Sequence, residues 1–228
     1  MNILTAPYID PDYVGWRNGG GACGLEVEVF VDFLSEDSAM AYKNFNDALQ
    51  IEIMPGMTYL DGIDLKVSNY PEKGLAHVFE VAQGVIYFMD LCSNDSSDCR
   101  MNEYMRYSWL QMPAILYMQD MDRDDFVNYW VSLVAAQFHV PDYELLFMYN
   151  PTYDSHKSME RTFLARDYAE DKGVTTTPAA FLNGERVENM PSSMEEWLML
   201  FDAAYAAQPT HDCGTKPDQA SAIASLLA

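Results

Sequence analysis

Residues 25–50 read LEVEVFVDFLSEDSAMAYKNFNDALQ, and they set the topology of the chain. From Leu25 to Leu34 apolar residues alternate with others in a run rich in β-branched and aromatic side chains, which predicts a strand with at least one buried face. From Ser38 onward, apolar residues recur at helical spacing: Met40, Phe45, Ala48 and Leu49. The sequence therefore predicts a strand, a short turn and a helix, which is half of a βαβ unit.

The turn between these elements is Ser35-Glu36-Asp37-Ser38. Ser35 or Ser38 is predicted to cap the helix, and the carboxylates of Glu36 and Asp37 suit the positive end of the helix dipole. The N-terminus of the predicted helix could therefore interact with a group bound at this turn.

Three stretches resemble one known family. Residues 27–45 (VEVFVDFLSEDSAMAYKNF) are similar to the active-site strand and helix of DsbA-like thioredoxin-fold proteins. Residues 74–89 (GLAHVFEVAQGVIYFM) resemble the helix after that family's second strand, and residues 173–185 (GVTTTPAAFLNGE) its cis-proline loop and hairpin. The resemblance spans roughly residues 22–206 and implies an α/β, thioredoxin-like fold with an inserted helical subdomain.

This resemblance gives a division of the chain. Residues 1–24 form an N-terminal arm with a short edge strand near 3–8, and residues 25–92 form the first part of the thioredoxin-like domain. Residues 93–172 are the helical insertion, with helices at 101–119, 123–138, 142–147 and 155–172. Residues 173–207 return to the domain, and 208–228 are a tail. Pro113 is expected to kink or interrupt its helix, and Gly84 to allow close packing of a helix on the sheet.

The family's redox chemistry depends on a thiol that this turn lacks. Related turns carry Cys-x-x-Cys or Cys-Pro-x-Ser, whereas Ser35 and Ser38 stand here. Dithiol exchange needs a thiolate, and a helix dipole cannot make an alkoxide of serine. We therefore expect no thiol-disulfide oxidoreductase activity from the natural turn.

The loop at Thr177-Pro178 keeps a function that needs no thiol. The resemblance implies a cis peptide bond here, which leaves the backbone of Thr177 able to pair with an extended peptide by β-augmentation. The leading hypothesis is a non-catalytic module that binds a peptide or protein through Ser35, Glu36, Asp37, Ser38, Thr177 and Pro178, or that uses the fold only as a scaffold. A plain helix cap and a proline that only shapes the turn are the simpler interpretations.

Two alternatives stay open. Kappa-class glutathione transferases have a similar fold and use a serine hydroxyl at this turn, so Ser35, with Ser38, could hold a glutathione thiolate as a hydrogen-bond donor. The turn could also be that of a protein disulfide oxidoreductase silenced by replacement of its cysteine, natural or engineered. Without the glutathione alternative, no cofactor is expected.

The charge balance limits the partners. Thirty-five acidic and 13 basic residues give a net charge of −22, a field that repels nucleic acid and anionic membranes. No apolar run is long enough to span a bilayer. The four histidines are scattered without ligand spacing, so no metal site is expected.

The four cysteines bear on the compartment. Cys92 and Cys99 flank one loop, and under the fold resemblance Cys23 and Cys213 lie just outside the two ends of the domain, so the preferred disulfides are 92–99 and 23–213. Asn94-Asp95-Ser96 is an N-glycosylation sequon. These features favour a secretory-pathway lumen or extracellular location over the cytoplasm, where four reduced thiols would be the alternative. The oligomeric state does not follow from the sequence.

Overall fold

The core of the protein is a five-stranded sheet. In the computed structural model, which describes residues 7–19 and 24–207, its strands in chain order are β1 (Trp16–Asn18), β2 (Leu25–Val31), β5 (Ile63–Asn69), β6 (Ala179–Leu182) and β7 (Glu185–Arg186). The spatial order is β1-β5-β2-β6-β7. The central strand, β2, is parallel to β5 and antiparallel to β6. A separate hairpin is formed by β3 (Glu52–Met54) and β4 (Met57–Thr58).

Eight α-helices surround this sheet in the described part of the chain. They are α1 (Glu36–Leu49), α2 (Tyr59–Gly62), α3 (Val78–Asn94), α4 (Met101–Tyr117), α5 (Arg123–Phe138), α6 (Asp142–Met148), α7 (Ser158–Asp171) and α8 (Met194–Ala207). Helices α4 to α7 lie in sequence between β5 and β6. The predicted α/β, thioredoxin-like class with inserted helices is confirmed.

Burial of both faces of β2 makes it the centre of the core. Val27, Val29 and Val31 are buried on one face, and Phe30 is buried in a smaller cluster on the other. Helix α1 packs against α8 through ring contacts of Phe45 with Trp197 and Phe201. This packing fixes the N-terminus of α1 at the end of the sheet where β2 stops.

Four expectations need correction. The strand ahead of β2 is Trp16–Asn18, paired antiparallel with β5; Tyr8 forms only an isolated bridge to Arg17, and most of the expected strand at 3–8 lies outside the described residues. Helix α4 continues through Pro113, so the alternative of an interrupted helix is wrong, and a kink at Pro113 stays a prediction.

Met40, which the helical spacing predicts on the apolar face of α1, is 58% exposed, and Tyr42 is buried instead. Gly84 does permit close packing, but of helix against helix: the nearest side chains are Tyr104 of α4 and Tyr149 after α6. The spacing of apolar residues along a helix does not show whether a sheet or a second helix packs against that face.

Candidate functional site

Ser35 is the N-cap of α1. Its backbone is extended, and its Oγ accepts the backbone N–H of Ser38 at 3.1 Å. Glu36 and Asp37 follow in the first turn of the helix, with exposed side chains. The predicted cap is therefore made by Ser35, which is half-buried at the position where the resembling family carries its first cysteine.

Ser38 lies inside the protein. Its side chain is fully buried, and its Oγ accepts the backbone N–H of Asp32 at 3.2 Å. Trp109 of α4 donates its Nε1–H to the carbonyl of the same Asp32 at 2.9 Å. The turn is thus fixed to the end of β2 and to the first inserted helix, and the Ser38 hydroxyl faces the interior.

Asp32 is a buried carboxylate beneath the turn. Its Oδ1 accepts the backbone N–H of Leu34 at 2.6 Å, and its Oδ2 accepts that of Glu72 at 2.8 Å. Burial raises the pKa of Asp32 to about 6, although the two backbone hydrogen bonds oppose that rise. This carboxyl group therefore changes charge close to neutral pH.

Glu72 connects the turn to the proline loop. Its Oε1 accepts both the backbone N–H and the hydroxyl of Thr177, each at 2.6 Å. Four residues consequently form a continuous chain of hydrogen bonds, from Ser38 to Asp32, then to Glu72, then to Thr177. The structure brings together the two separate sequence motifs through this chain.

The peptide bond between Thr177 and Pro178 is cis, as the sequence predicts. Pro178 lines a small apolar pocket with Val31, Tyr42 and Trp197, so it packs between the end of β2 and helix α1. The carbonyl of Thr177 accepts no hydrogen bond from the residues that the structure describes. One backbone acceptor of this loop is therefore open while its neighbouring donor is occupied.

No thiol is available at this site. Cys92, in α3, and Cys99, just before α4, are joined by a disulfide, and the described residues include no free cysteine. Cys23 and Cys213 lie outside the described residues, so the second pairing has no structural description here. Asn94 is the last residue of α3 and is exposed.

Asp32 and Glu72 were not among the residues proposed from the sequence. The sequence could have indicated Asp32 as a site residue, because an acidic residue between Val31 and Phe33 at the end of a buried strand is unusual. Glu72 had no such signal, since it follows Pro71 in an ordinary polar loop and meets a residue 105 positions away.

Residues 7–19 and 24–207 contain neither a cluster of metal ligands nor a membrane-spanning helix. No group of three or more His, Cys, Asp or Glu side chains there is arranged to hold a metal ion. No described helix has the length and apolarity to cross a membrane.

Comparison with known proteins gives the fold a context. No protein-family model matches the sequence, and neither does any curated protein. Solved structures do match. A protein provisionally named a protein-disulfide isomerase, from Pseudomonas syringae, aligns with a TM-score of 0.58 and 15% identity over 80% of this chain and 95% of that one.

Two further matches are named as oxidoreductases. MdbA, a thiol-disulfide oxidoreductase from Corynebacterium diphtheriae, aligns with a TM-score of 0.54 and 12% identity over 86% of this chain and 93% of its own. The oxidoreductase NmDsbA1 from N. meningitidis aligns with a TM-score of 0.51 and 16% identity over 91% and 93%. The protein therefore has the fold of DsbA-like oxidoreductases, and at these identities the likeness concerns the fold alone.

Proposed function

We propose that this protein is a non-catalytic member of the DsbA-like fold group that binds an extended segment of a partner protein at the Thr177-Pro178 loop. The observation that carries the proposal is the state of the turn: the two positions that would hold thiols are a helix cap and a buried hydroxyl, Ser35 and Ser38. Neither can become the thiolate that disulfide exchange requires.

The loop keeps what peptide binding needs. The carbonyl of Thr177 has no partner among the described residues, and Thr175 and Thr176 beside it are exposed. An extended peptide could donate a backbone N–H to this carbonyl and continue as an added strand. Backbone pairing of this kind is independent of the side chains at the turn.

Photo-crosslinking tests the proposal. A benzophenone amino acid at Thr176 should crosslink to extended peptides selected for binding to the folded protein, whereas the same probe at Thr152, an exposed residue in the α6–α7 connection, should not. Equal crosslinking at both positions, or none at Thr176, would count against binding at the loop. An insulin-reduction assay on the unaltered protein should give no activity.

A second candidate, a glutathione-binding enzyme of kappa-transferase type, has one observation in its favour. The Ser35 hydroxyl is half-buried, and its hydrogen is donated to no acceptor among the described residues. It could therefore donate to a thiolate placed over the helix N-terminus. Retention on a glutathione column that is lost in Ser35→Ala would favour this candidate over the binding module.

A further inference from the structure

The backbone donor of the peptide-pairing loop is already occupied within the chain. The Glu72 carboxylate accepts the Thr177 N–H and hydroxyl at 2.6 Å each, in the way that a carbonyl of an added strand would accept the N–H. The Thr177 carbonyl has no such partner in the described structure. In this loop, which we call closed while Glu72 is in place, the backbone N–H of Thr177 is therefore occupied and the carbonyl of Thr177 is available to a partner.

Glu72 can leave this position without disturbing the sheet. The segment is held by its backbone: the N–H of Tyr70 donates to the carbonyl of Val31 at 2.8 Å, and that of Glu72 donates to Asp32 at 2.8 Å. The Glu72 side chain itself is half-buried and so has a route to solvent. Rotation of one side chain would therefore expose the Thr177 N–H.

If Glu72 is displaced from Thr177, its carboxylate needs a new partner for its negative charge. Within the described residues, Glu72 forms no ion pair, and the adjacent Lys73 is paired with Glu170 at 2.7 Å. Asp32 is a second acidic residue beside Glu72, because its Oδ2 accepts the Glu72 backbone N–H at 2.8 Å. A released Glu72 carboxylate would lose two charge-assisted hydrogen bonds and remain close to another carboxylate, which disfavours release unless a cation arrives.

We propose that Glu72 is an internal occupant of the peptide-pairing loop, and that the partner that displaces it is an extended segment carrying Lys or Arg beside the paired residue. This inference rests on the proposed function and adds the chemistry of the partner. A basic side chain of the partner would form an ion pair with the Glu72 carboxylate. A backbone carbonyl of the peptide would then accept the Thr177 N–H in place of Glu72. The net charge of −22 favours encounter with such a segment.

Fluorescence anisotropy with three labelled heptapeptides of Thr and Val, which differ only in a central Lys, Gln or Glu, tests this inference. The unaltered protein should bind the Lys peptide at least about tenfold more tightly than the Gln peptide, and the Glu peptide least. Glu72→Ala should bind the Gln peptide about tenfold more tightly than the unaltered protein does, and should lose most of the preference for Lys.

Two further variants distinguish the effect of the Glu72 charge from the effect of an acceptor bound to Thr177. Glu72→Gln keeps an acceptor for Thr177 but loses the charge, so the loop should stay closed and most of the preference for Lys should be lost. Glu160→Gln, an exposed acid on α7 with no ion pair among the described residues, is the matched control and should behave as the unaltered protein does. The amide proton of Thr177 should move upfield in the NMR spectrum of Glu72→Ala.

The outcomes are distinguishable. Equal affinity of the unaltered protein for all three peptides, or a Lys preference as strong in Glu72→Gln as in the unaltered protein, would overturn the inference and leave peptide binding in place. If no peptide binds any variant, including Glu72→Ala, the proposed function fails and the inference fails with it. If Glu72→Ala does not fold, the Glu72→Gln comparison still decides.

Discussion

A Cβ atom placed on Gly84 would lie 2.0 Å from the hydroxyl oxygen of Tyr104 and 2.7 Å from its Cζ. Tyr104 is fully buried and cannot easily move away. Its hydroxyl donates to the carbonyl of Val81 at 2.6 Å and accepts from Nε1 of Trp130 at 3.1 Å. The missing side chain at Gly84 is therefore what allows α4 to approach α3.

Gly84→Ala should destabilise the protein although alanine favours a helix. The gain in helix propensity is about 1 kcal/mol, and forcing a methyl group against a fixed ring costs about 1–3 kcal/mol. We expect a net loss in the free energy of unfolding, measured in urea. In a Tyr104→Phe background the closest contact is gone, so the same substitution should cost less; an equal cost in both backgrounds would contradict the steric explanation.

Ser35→Ala should remove the cap of α1. The N–H of Ser38 loses its acceptor, and the expected loss in the free energy of unfolding is about 1 kcal/mol. Ser35→Asn should retain most of the stability because asparagine caps as well as serine does. Ser155→Ala, at an exposed position ahead of α7, serves as the control. If the Asn variant loses as much as the Ala variant, capping is not what Ser35 contributes.

Asp32 should make stability depend on pH. Its pKa in the folded protein is about 6, above the value of 3.8 for the free side chain, so the folded state binds the proton more tightly. Stability from this group is full below about pH 4 and is lost as the pH rises through 6, by at most about 3 kcal/mol. Carbon-13 titration of the carboxyl should give the pKa directly.

Two variants test this prediction through the slope of the free energy of unfolding against pH. Urea unfolding of Asp32→Asn between pH 4 and 7 should vary less with pH than that of the unaltered protein, whereas Ser155→Ala, which removes no titratable group, should leave the slope unchanged. A midpoint near 4 for Asp32 in the NMR titration would contradict the assigned pKa.

A cysteine introduced at the cap tests what the turn would do with a thiol. In Ser35→Cys the thiolate would accept the Ser38 N–H at the N-terminus of α1, which should lower the thiol pKa below about 8.5. Glu36 and Asp37 oppose the anion, so adding Glu36→Gln and Asp37→Asn should lower the pKa further. Thiolate absorbance at 240 nm gives both values, and a pKa above 8.5 in both proteins would contradict the prediction.

Asn94 is predicted to carry a glycan. It is exposed at the end of α3, and Ser96 of the sequon is exposed beside it. Expression through a glycosylating secretory pathway should add the mass of an N-glycan, and Ser96→Ala should abolish the addition. A bare Asn94 in protein that has passed through that pathway would contradict the prediction.

The sequence was most informative where signals are local. Helix α5 runs from Arg123 to Phe138 as predicted, because its cap at Asp122 and its apolar period lie within one segment. The hairpin at Asn183-Gly184 follows from residues that tolerate positive φ, and both adopt it. The strand Ala179–Leu182 lies within residues 173–185, the stretch that resembles the family's cis-proline loop and hairpin.

The sequence was least informative where contacts join distant segments. Strand β1 has only three residues, and it is defined by pairing with β5 rather than by its own composition. The Glu72–Thr177 contact links two polar loops that no periodic pattern marks. The turn and the proline loop could each be located from the sequence, whereas the residues that connect them could not.

The hydrogen-bond chain from Ser38 to Thr177 also constrains when the binding loop exists. Thr177 follows Glu72 by 105 positions, and the segment between them includes the inserted helices α4 to α7, so the two ends meet only after a long intervening segment has become compact. A nascent or partly unfolded chain presents the cap at Ser35, which is local, but not the paired loop. Partner recognition at Thr177 would therefore act as a checkpoint on completed folding.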